Sequence, residues 1–134
     1  MRYLLDINFI SELRRGNHAN RGVQAWAMAN DSGLCALSVV TLAEIRRGIE
    51  DKRPTDSRQV HVLEQWLGSL QIDDAANILP VRMEIADRWG SLLSRTQLLP
   101  YDIILAATAL EHGLTVITRN MADFEKIGAR FYNP

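Results

Sequence analysis

The sequence predicts an α/β domain built on a mostly parallel sheet. Short apolar runs alternate with amphipathic runs of helical spacing along the whole chain, and strands joined by crossover helices produce that alternation. The length of 134 residues lies within the ~100–200 residues of one domain. No linker, repeat or low-complexity segment divides the sequence, so we expect a single domain over residues 1–134.

The first strand and the two helices after it are predicted within residues 1–33. Tyr3 to Leu5 form an apolar strand that ends at Asp6. Apolar side chains then recur at helical spacing in two segments, of which the first ends at residues 16–17 and the second near residues 30–33. The apolar positions of these two helices are Phe9, Ile10 and Leu13, and then Val23, Trp26 and Ala27.

A second strand and two longer helices are predicted in the middle of the chain. Cys35 to Val40 form the strand. Thr41 is the expected N-cap of the next helix, with Glu44 three residues later as the second half of a capping box. A polar connection over residues 51–56 precedes another apolar stripe at helical spacing. Its members are Val60, Leu63, Leu67 and Leu70.

The last part of the chain predicts two helices between short strands. Residues 78–81 form the third strand, and a helical pattern follows it. The next helix begins at about Asp102 and ends at Gly113. The run over residues 114–118 is rich in β-branched side chains, as expected of a strand buried on both faces, and residues 130–132 predict an edge strand.

Composition excludes several classes of protein. The net charge of −1 gives no overall attraction to nucleic acid, and the single cysteine, Cys35, excludes an internal disulfide framework. No apolar run approaches the ~18 residues of a membrane span. Asp6 interrupts the first apolar run too early for a signal peptide. We therefore expect a cytoplasmic protein with no membrane contact.

Four carboxylates follow strands or begin helices. Asp6 comes directly after the first strand, Glu44 lies one turn into the helix after the second, Asp102 begins a helix, and Asp123 comes five residues after Thr118. In an open parallel sheet, ligands bind beyond the carboxyl ends of the strands. The four acids are therefore expected to converge on one pocket.

Each of these acids also has a purely structural interpretation. Asp6, Asp102 and Asp123 could cap helices, and Glu44 could complete the capping box. Capping alone would give a mixture of Asp, Ser, Thr and Asn at such positions. Carboxylates recur here instead, which favours a shared site.

Four carboxylates in one pocket would need cations. Two carboxylates ~5 Å apart repel by roughly 3 kcal/mol at an effective dielectric near 20, so four could not all stay ionised alone. Hard oxygen ligands select Mg²⁺ or Mn²⁺, and such ions orient and activate water for attack at a phosphate. A metal-assisted reaction at a phosphate is the chemistry that this pattern predicts.

Four segments that carry these acids resemble one family. They are residues 4–13, 37–45, 102–110 and 118–124, and they resemble the signatures of PIN domains. The resemblance covers residues 1–134 and is strongest to the VapC-type toxins, in particular the FitB-like branch. It implies a three-layer α/β/α fold whose central, mostly parallel sheet has four to five strands.

The resemblance also implies a function. It implies the toxin of a type II toxin–antitoxin module, an endoribonuclease that depends on Mg²⁺ or Mn²⁺ and cleaves RNA, with tRNA as one candidate substrate. The implied partners are a small DNA-binding antitoxin and a second copy of the chain in a homodimer. The implied catalytic and metal-binding residues are Asp6, Glu44, Asp102 and Asp123.

Residues beside the acids match the family at three positions and depart from it at one. Asn8, Thr118 and Asn120 match, and they are candidates for orienting the acids. Ile7 stands where the family usually has threonine. Isoleucine offers no hydroxyl to a carboxylate or to a bound water.

Two alternative functions stay open at this point. A catalytically weak PIN-like module that binds RNA or protein fits the departure at Ile7, although a binder has no need to keep four repelling acids together. A phosphotransferase with a nucleophilic aspartate needs a lysine at the phosphate, and neither Lys52 nor Lys126 follows a core strand. A zinc site is not indicated, because the histidines lack partners at ligand spacing. They are His18, His61 and His112.

Overall fold

The chain folds around one central sheet. The structure is a computed structural model that describes residues 1–73 and 77–134, with the side chain of Asp123 excepted. The strands are β1 (Tyr3–Leu5), β2 (Cys35–Ser38), β3 (Ile78–Leu79), β4 (Thr115–Ile117) and β5 (Phe131–Tyr132). Their spatial order is β3-β2-β1-β4-β5, and each pairing is parallel. The predicted parallel sheet of four to five strands is confirmed.

Helices follow most of these strands. In the described ranges they are α1 (Ile7–Leu13), α2 (Arg21–Ala29), α3 (Val39–Lys52), α4 (Ser57–Asp73), α5 (Met83–Leu93), α6 (Pro100–His112) and α7 (Met121–Glu125). Short 3₁₀ turns, Gly16–His18 and Ser32–Leu34, precede α2 and β2. None of the helices that the structure describes combines the length and the hydropathy needed to cross a bilayer.

Alternate strand residues bury opposite faces of the sheet. Leu4, Ala36 and Val116 pack on the side of α6 and α7. Leu37 and Ile117 pack on the other side, against α1 to α4. All five are almost completely buried, because helices cover both faces of the sheet as in other parallel α/β proteins. The three-layer α/β/α architecture is confirmed.

The second strand ends two residues earlier than predicted. Val39 and Val40 are β-branched and favour a strand, yet α3 begins at Val39. The hydroxyl of Ser38 accepts a hydrogen bond from the Val40 N–H at 3.1 Å and caps the helix. The predicted N-cap at Thr41 and its capping box with Glu44 are therefore wrong. Thr41 lies buried inside the first turn of α3.

Of three other predicted boundaries, two differ from the structure and one agrees with it. The third strand is shorter than residues 78–81. Helix α6 begins at Pro100 rather than at Asp102, because proline suits the first helical position, where its missing N–H is not needed. The helix ends at Gly113 as predicted, and that residue has the left-handed φ of 66° that glycine adopts without strain.

Candidate active site

The candidate site lies at the C-terminal end of β1, the strand from which the sheet extends in both directions. From β1 the chain adds β2 and β3 on one side, whereas β4 and β5 lie on the other side. Ligands of open α/β sheets bind beyond the strand ends at such a switch point. Asp6 follows β1 and Thr118 follows β4, so these two residues sit side by side at the switch point.

Hydrogen bonds hold both oxygens of the Asp6 carboxylate. Its Oδ1 accepts from the Ile7 N–H at 2.7 Å, which makes Asp6 the N-cap of α1. Its Oδ2 accepts from the Thr118 hydroxyl at 2.7 Å. The Asp6 side chain is only 3% exposed, and the N-terminus of a helix favours negative charge. Asp6 is therefore both a cap and a fixed carboxylate at the switch point.

The loop after β4 is anchored to the start of α1. The Thr118 hydroxyl, which is fully buried, accepts from the Asn120 N–H at 3.0 Å. The side-chain oxygen of Asn8 accepts from the Arg119 N–H at 3.1 Å. The structure thus brings Asn8, Thr118 and the backbone of Asn120 to Asp6. These contacts fix the direction in which the Asp6 carboxylate points.

Glu44 and Asp102 bring two more carboxylates to the same place. Glu44 lies on α3 and Asp102 in the first turn of α6. Partial burial is the main cause that raises the pKa of Glu44 to about 7, and the negative charges of Asp6 and then Asp102 raise it further. The charges of two predicted acids therefore act on a third, Glu44.

The fourth predicted acid is only partly described. The backbone of Asp123 lies in α7, which begins three residues after Thr118. The Asp123 side chain lies outside the described residues, so its role stays a prediction. The adjacent Phe124 is fully buried against the sheet, and this contact holds α7 at its place beside the strand ends.

The donor chemistry of the site fits a hard divalent cation. Among the side chains that the structure describes, no group of three or more His, Cys, Asp or Glu residues is arranged to hold a metal ion. Burial raises the pKa of Glu44, and the negative charges of Asp6 and Asp102 raise it further. Carboxylate oxygens are the ligands that Mg²⁺ and Mn²⁺ prefer, and a divalent charge would offset those negative charges.

Glu12 is a contact residue that the sequence analysis missed. Its carboxylate accepts from the Asn20 N–H at 2.8 Å and lies 3.1 Å from Arg15 and 3.6 Å from Arg119. The Asn20 hydrogen bond, followed by that from Arg15, lowers the pKa of Glu12. Glu12 therefore links α1 to the loop that carries Thr118. Its only signal in the sequence is a place on the polar face of α1.

The fold and the site together define a class of three-layer α/β/α proteins with acidic groups at the switch point of a parallel sheet. The family model of the PIN domain matches residues 3–129. The chain belongs to the PIN-domain family.

Comparison with known proteins gives relatives of similar length. VapC ribonuclease Y4jK of Sinorhizobium fredii is 30% identical over 98% of this chain and 96% of its own length. The tRNA(fMet)-specific endonuclease VapC of Salmonella typhimurium is 33% identical over 73% of this chain and 72% of its own length. The crystal structure of FitAcB from Neisseria gonorrhoeae superposes with a TM-score of 0.86 and 31% identity, covering 98% of this chain and 97% of that chain. The predicted resemblance to VapC-type and FitB-like proteins is confirmed.

Proposed function

We propose that this chain is the toxin of a type II toxin–antitoxin module and an endoribonuclease that hydrolyses phosphodiester bonds of RNA at the acidic site. The observation that carries the proposal is the acidic switch point, where Thr118 holds Asp6 and where the charges of Asp6 and Asp102 act on Glu44. The ribonuclease and endonuclease names of its relatives support the same activity. We also propose that the protein acts in the cytoplasm, where tRNA is found, and tRNA is the first substrate to test.

Each part of the site has a distinct role in this proposal. Asp6, Glu44, Asp102 and Asp123 would hold Mg²⁺ or Mn²⁺, which when bound supplies an activated water and neutralises charge at the phosphate. Asp6 is oriented because Thr118 and the Ile7 N–H donate to its carboxylate. Without a bound cation the pKa of Glu44 is about 7, so protons compete with the cation for this carboxylate near neutral pH.

The proposed partners follow from the same site. A pocket of carboxylates also suits a guanidinium, which forms charge-assisted and often bidentate hydrogen bonds with carboxylates. We propose that a small DNA-binding antitoxin inhibits the chain by placing an arginine in this pocket, and that two copies of the chain form a homodimer.

Metal-dependent cleavage is the experiment that tests the proposed function. Purified protein, freed of any antitoxin, is incubated with total tRNA in Mg²⁺ or Mn²⁺, and the products are separated on a gel. We expect fragments that begin with a 5′-phosphate, because water is the nucleophile, and no fragments in excess chelator. Cleavage that persists in the chelator would contradict a metal-dependent mechanism, and the absence of cleavage in either metal would favour a binding module.

Ile7→Thr tests the one departure from the family pattern. Ile7 is half-buried and packs against the apolar cluster of α1 to α4, so the variant should lose about 0.5–1.5 kcal/mol of stability, as other single large-to-small changes do. The new hydroxyl can hydrogen-bond a carboxylate or water, which is worth about 0.5–1.5 kcal/mol. We expect tRNA cleavage at the wild-type rate or up to about tenfold faster. A large loss of rate with the fold intact would instead assign Ile7 to positioning Asp6.

A further inference from the structure

A groove between α1, α3 and α4 starts at the acidic site and leads away from it. Its volume is about 270 Å³, and Glu44 lines it together with Ile7, Lys52, Arg14 and Trp66. That volume is just below the roughly 300–1,000 Å³ of small-molecule sites. The groove therefore has room for one base or ribose at a time, directly beside the proposed catalytic acids.

Helix α3 forms an open wall of this groove. Glu44, Gly48 and Lys52 are spaced four residues apart, so they form one line along the helix, and the line spans about 12 Å. A Cβ atom on Gly48 would meet nothing within 4 Å, so close packing does not require glycine there. Glycine inside a helix costs about 0.5–1 kcal/mol relative to alanine. Gly48 lines the groove and has no side chain that would narrow it.

Two cations in the groove are available to an anionic ligand. The Arg14 guanidinium lies 5.3 Å from the centre of the Trp66 ring. Within the described part of the chain, neither Arg14 nor Lys52 forms a salt bridge. Two nearby arginines of the same helix pair differ, because each binds both Glu50 and Glu64. They are Arg46 and Arg53.

We propose that this groove binds the single-stranded RNA segment next to the phosphate that is cleaved. Lys52 and Arg14 contact its phosphates, and one base stacks on the Arg14 guanidinium above Trp66. Cations bind the phosphate backbone without regard to sequence, and unpaired bases stack on aromatic rings and on arginine planes. The inference rests on the proposed ribonuclease function, and it identifies the strand conformation that the site accepts.

The charges favour RNA over a peptide in this groove. A neighbouring cavity of about 250 Å³ on the far side of Trp66 is mainly apolar, with Leu5, Phe9 and Leu70 in its lining. Apolar side chains of a protein partner suit that cavity. The groove from Glu44 to Lys52 instead has two cations in its lining, Arg14 and Lys52, which suit the phosphates of an RNA strand.

Binding of a labelled oligonucleotide tests the proposal without any cleavage. The probe is a fluorescein-labelled 12-nucleotide single-stranded RNA of mixed sequence, and anisotropy gives its Kd in excess chelator at several salt concentrations. We expect Lys52→Ala and Arg14→Gln each to weaken binding about three- to tenfold and to reduce the salt slope by about 0.7, the value for one phosphate contact on a single strand. Arg14→Lys should restore the slope but not the stacking.

Matched controls separate the groove from general charge. Arg47 lies on the same helix, 71% exposed and 3.9 Å from Asp51, and Arg47→Ala should leave Kd and slope unchanged. Gly48→Leu should fill the groove and weaken RNA binding at least tenfold. Gly90→Leu makes the same change on α5, where a Cβ also meets nothing within 4 Å, and it should have no effect. Thermal melts confirm that both leucine variants fold.

Three results would overturn the inference. The first is unchanged RNA binding in the groove variants, and the second is an equal loss of RNA binding in Arg47→Ala. The third is a Gly48→Leu variant that no longer binds the antitoxin but still binds RNA. The binding assay measures no cleavage, so its outcome is independent of the cleavage assay. A protein that binds RNA through this groove but cleaves no RNA in the cleavage assay would contradict the nuclease proposal alone.

Discussion

Asp6→Asn should lower RNA cleavage by at least two orders of magnitude while the protein stays folded. Asparagine caps helices as well as aspartate does. Its side-chain oxygen can therefore still accept a hydrogen bond from the Ile7 N–H, which in the wild type donates to Asp6 Oδ1. The substitution removes the buried negative charge that the site needs to hold a divalent cation. Asp102→Asn should have a similar effect. Initial rates of tRNA cleavage in Mg²⁺ measure the loss, and a thermal melt reports the fold.

Asp31→Asn is the matched control for this variant. Asp31 is also an N-cap, since its Oδ1 accepts from the Gly33 N–H at 2.9 Å. It precedes β2 and so lies at the opposite end of the sheet from Asp6. We expect wild-type cleavage from Asp31→Asn. Rates for Asp6→Asn within tenfold of the wild type would remove Asp6 from the catalytic site.

The stability of the metal-free protein should fall as pH rises from about 4.5 to about 7. Unfolded Glu44 titrates near the ordinary glutamate pKa of 4.5, whereas burial and the neighbouring acids raise the folded pKa to about 7. Between these values the folded protein holds a proton that the unfolded chain has released, so raising the pH favours unfolding. After solvent screening is allowed for, the expected contribution is about 1–2 kcal/mol.

Urea unfolding at a series of pH values measures this change in the free energy of unfolding. Glu44→Gln should remove most of the decline between pH 4.5 and 7, since glutamine does not titrate. Glu12→Gln is the control, because hydrogen bonds lower the pKa of Glu12, and the stability from that carboxylate is lost only at more acidic pH. A decline that persists unchanged in Glu44→Gln would show that other groups cause it.

Much of the fold could be predicted because its signals are local. The strand over residues 114–118 is a dense run of β-branched residues, and Gly113 marks the end of the helix before it. The end of β2 could not be read in this way. Val39 and Val40 have strand propensity, but the Ser38 cap and the burial of Val40 against α5 and α6 outweigh that weak preference.

The same distinction between local signals and long-range contacts applies to the site. The candidate acids could be proposed from the sequence because they follow strands or begin helices, where the topology of a parallel sheet concentrates ligands; the role of Asp123 stays a prediction. The hydrogen bond between Thr118 and Asp6 joins residues 112 positions apart, and the groove of Gly48, Lys52 and Arg14 exists only after α1, α3 and α4 pack. No local pattern encodes contacts of this kind.

The position of β1 delays the assembly of the acidic site until late in synthesis. Tyr3 pairs with Thr115 of β4, so the central strand of the sheet acquires one of its two neighbours only after most of the chain has been made. At ~5–20 residues per second of translation, the 112 residues between Asp6 and Thr118 take about 6–22 s. Pairing across such long separations is also intrinsically slow. During those seconds the nascent chain contains Asp6 but not yet the Thr118 hydroxyl that holds it. A partner protein made at the same time can accumulate before the nuclease is complete.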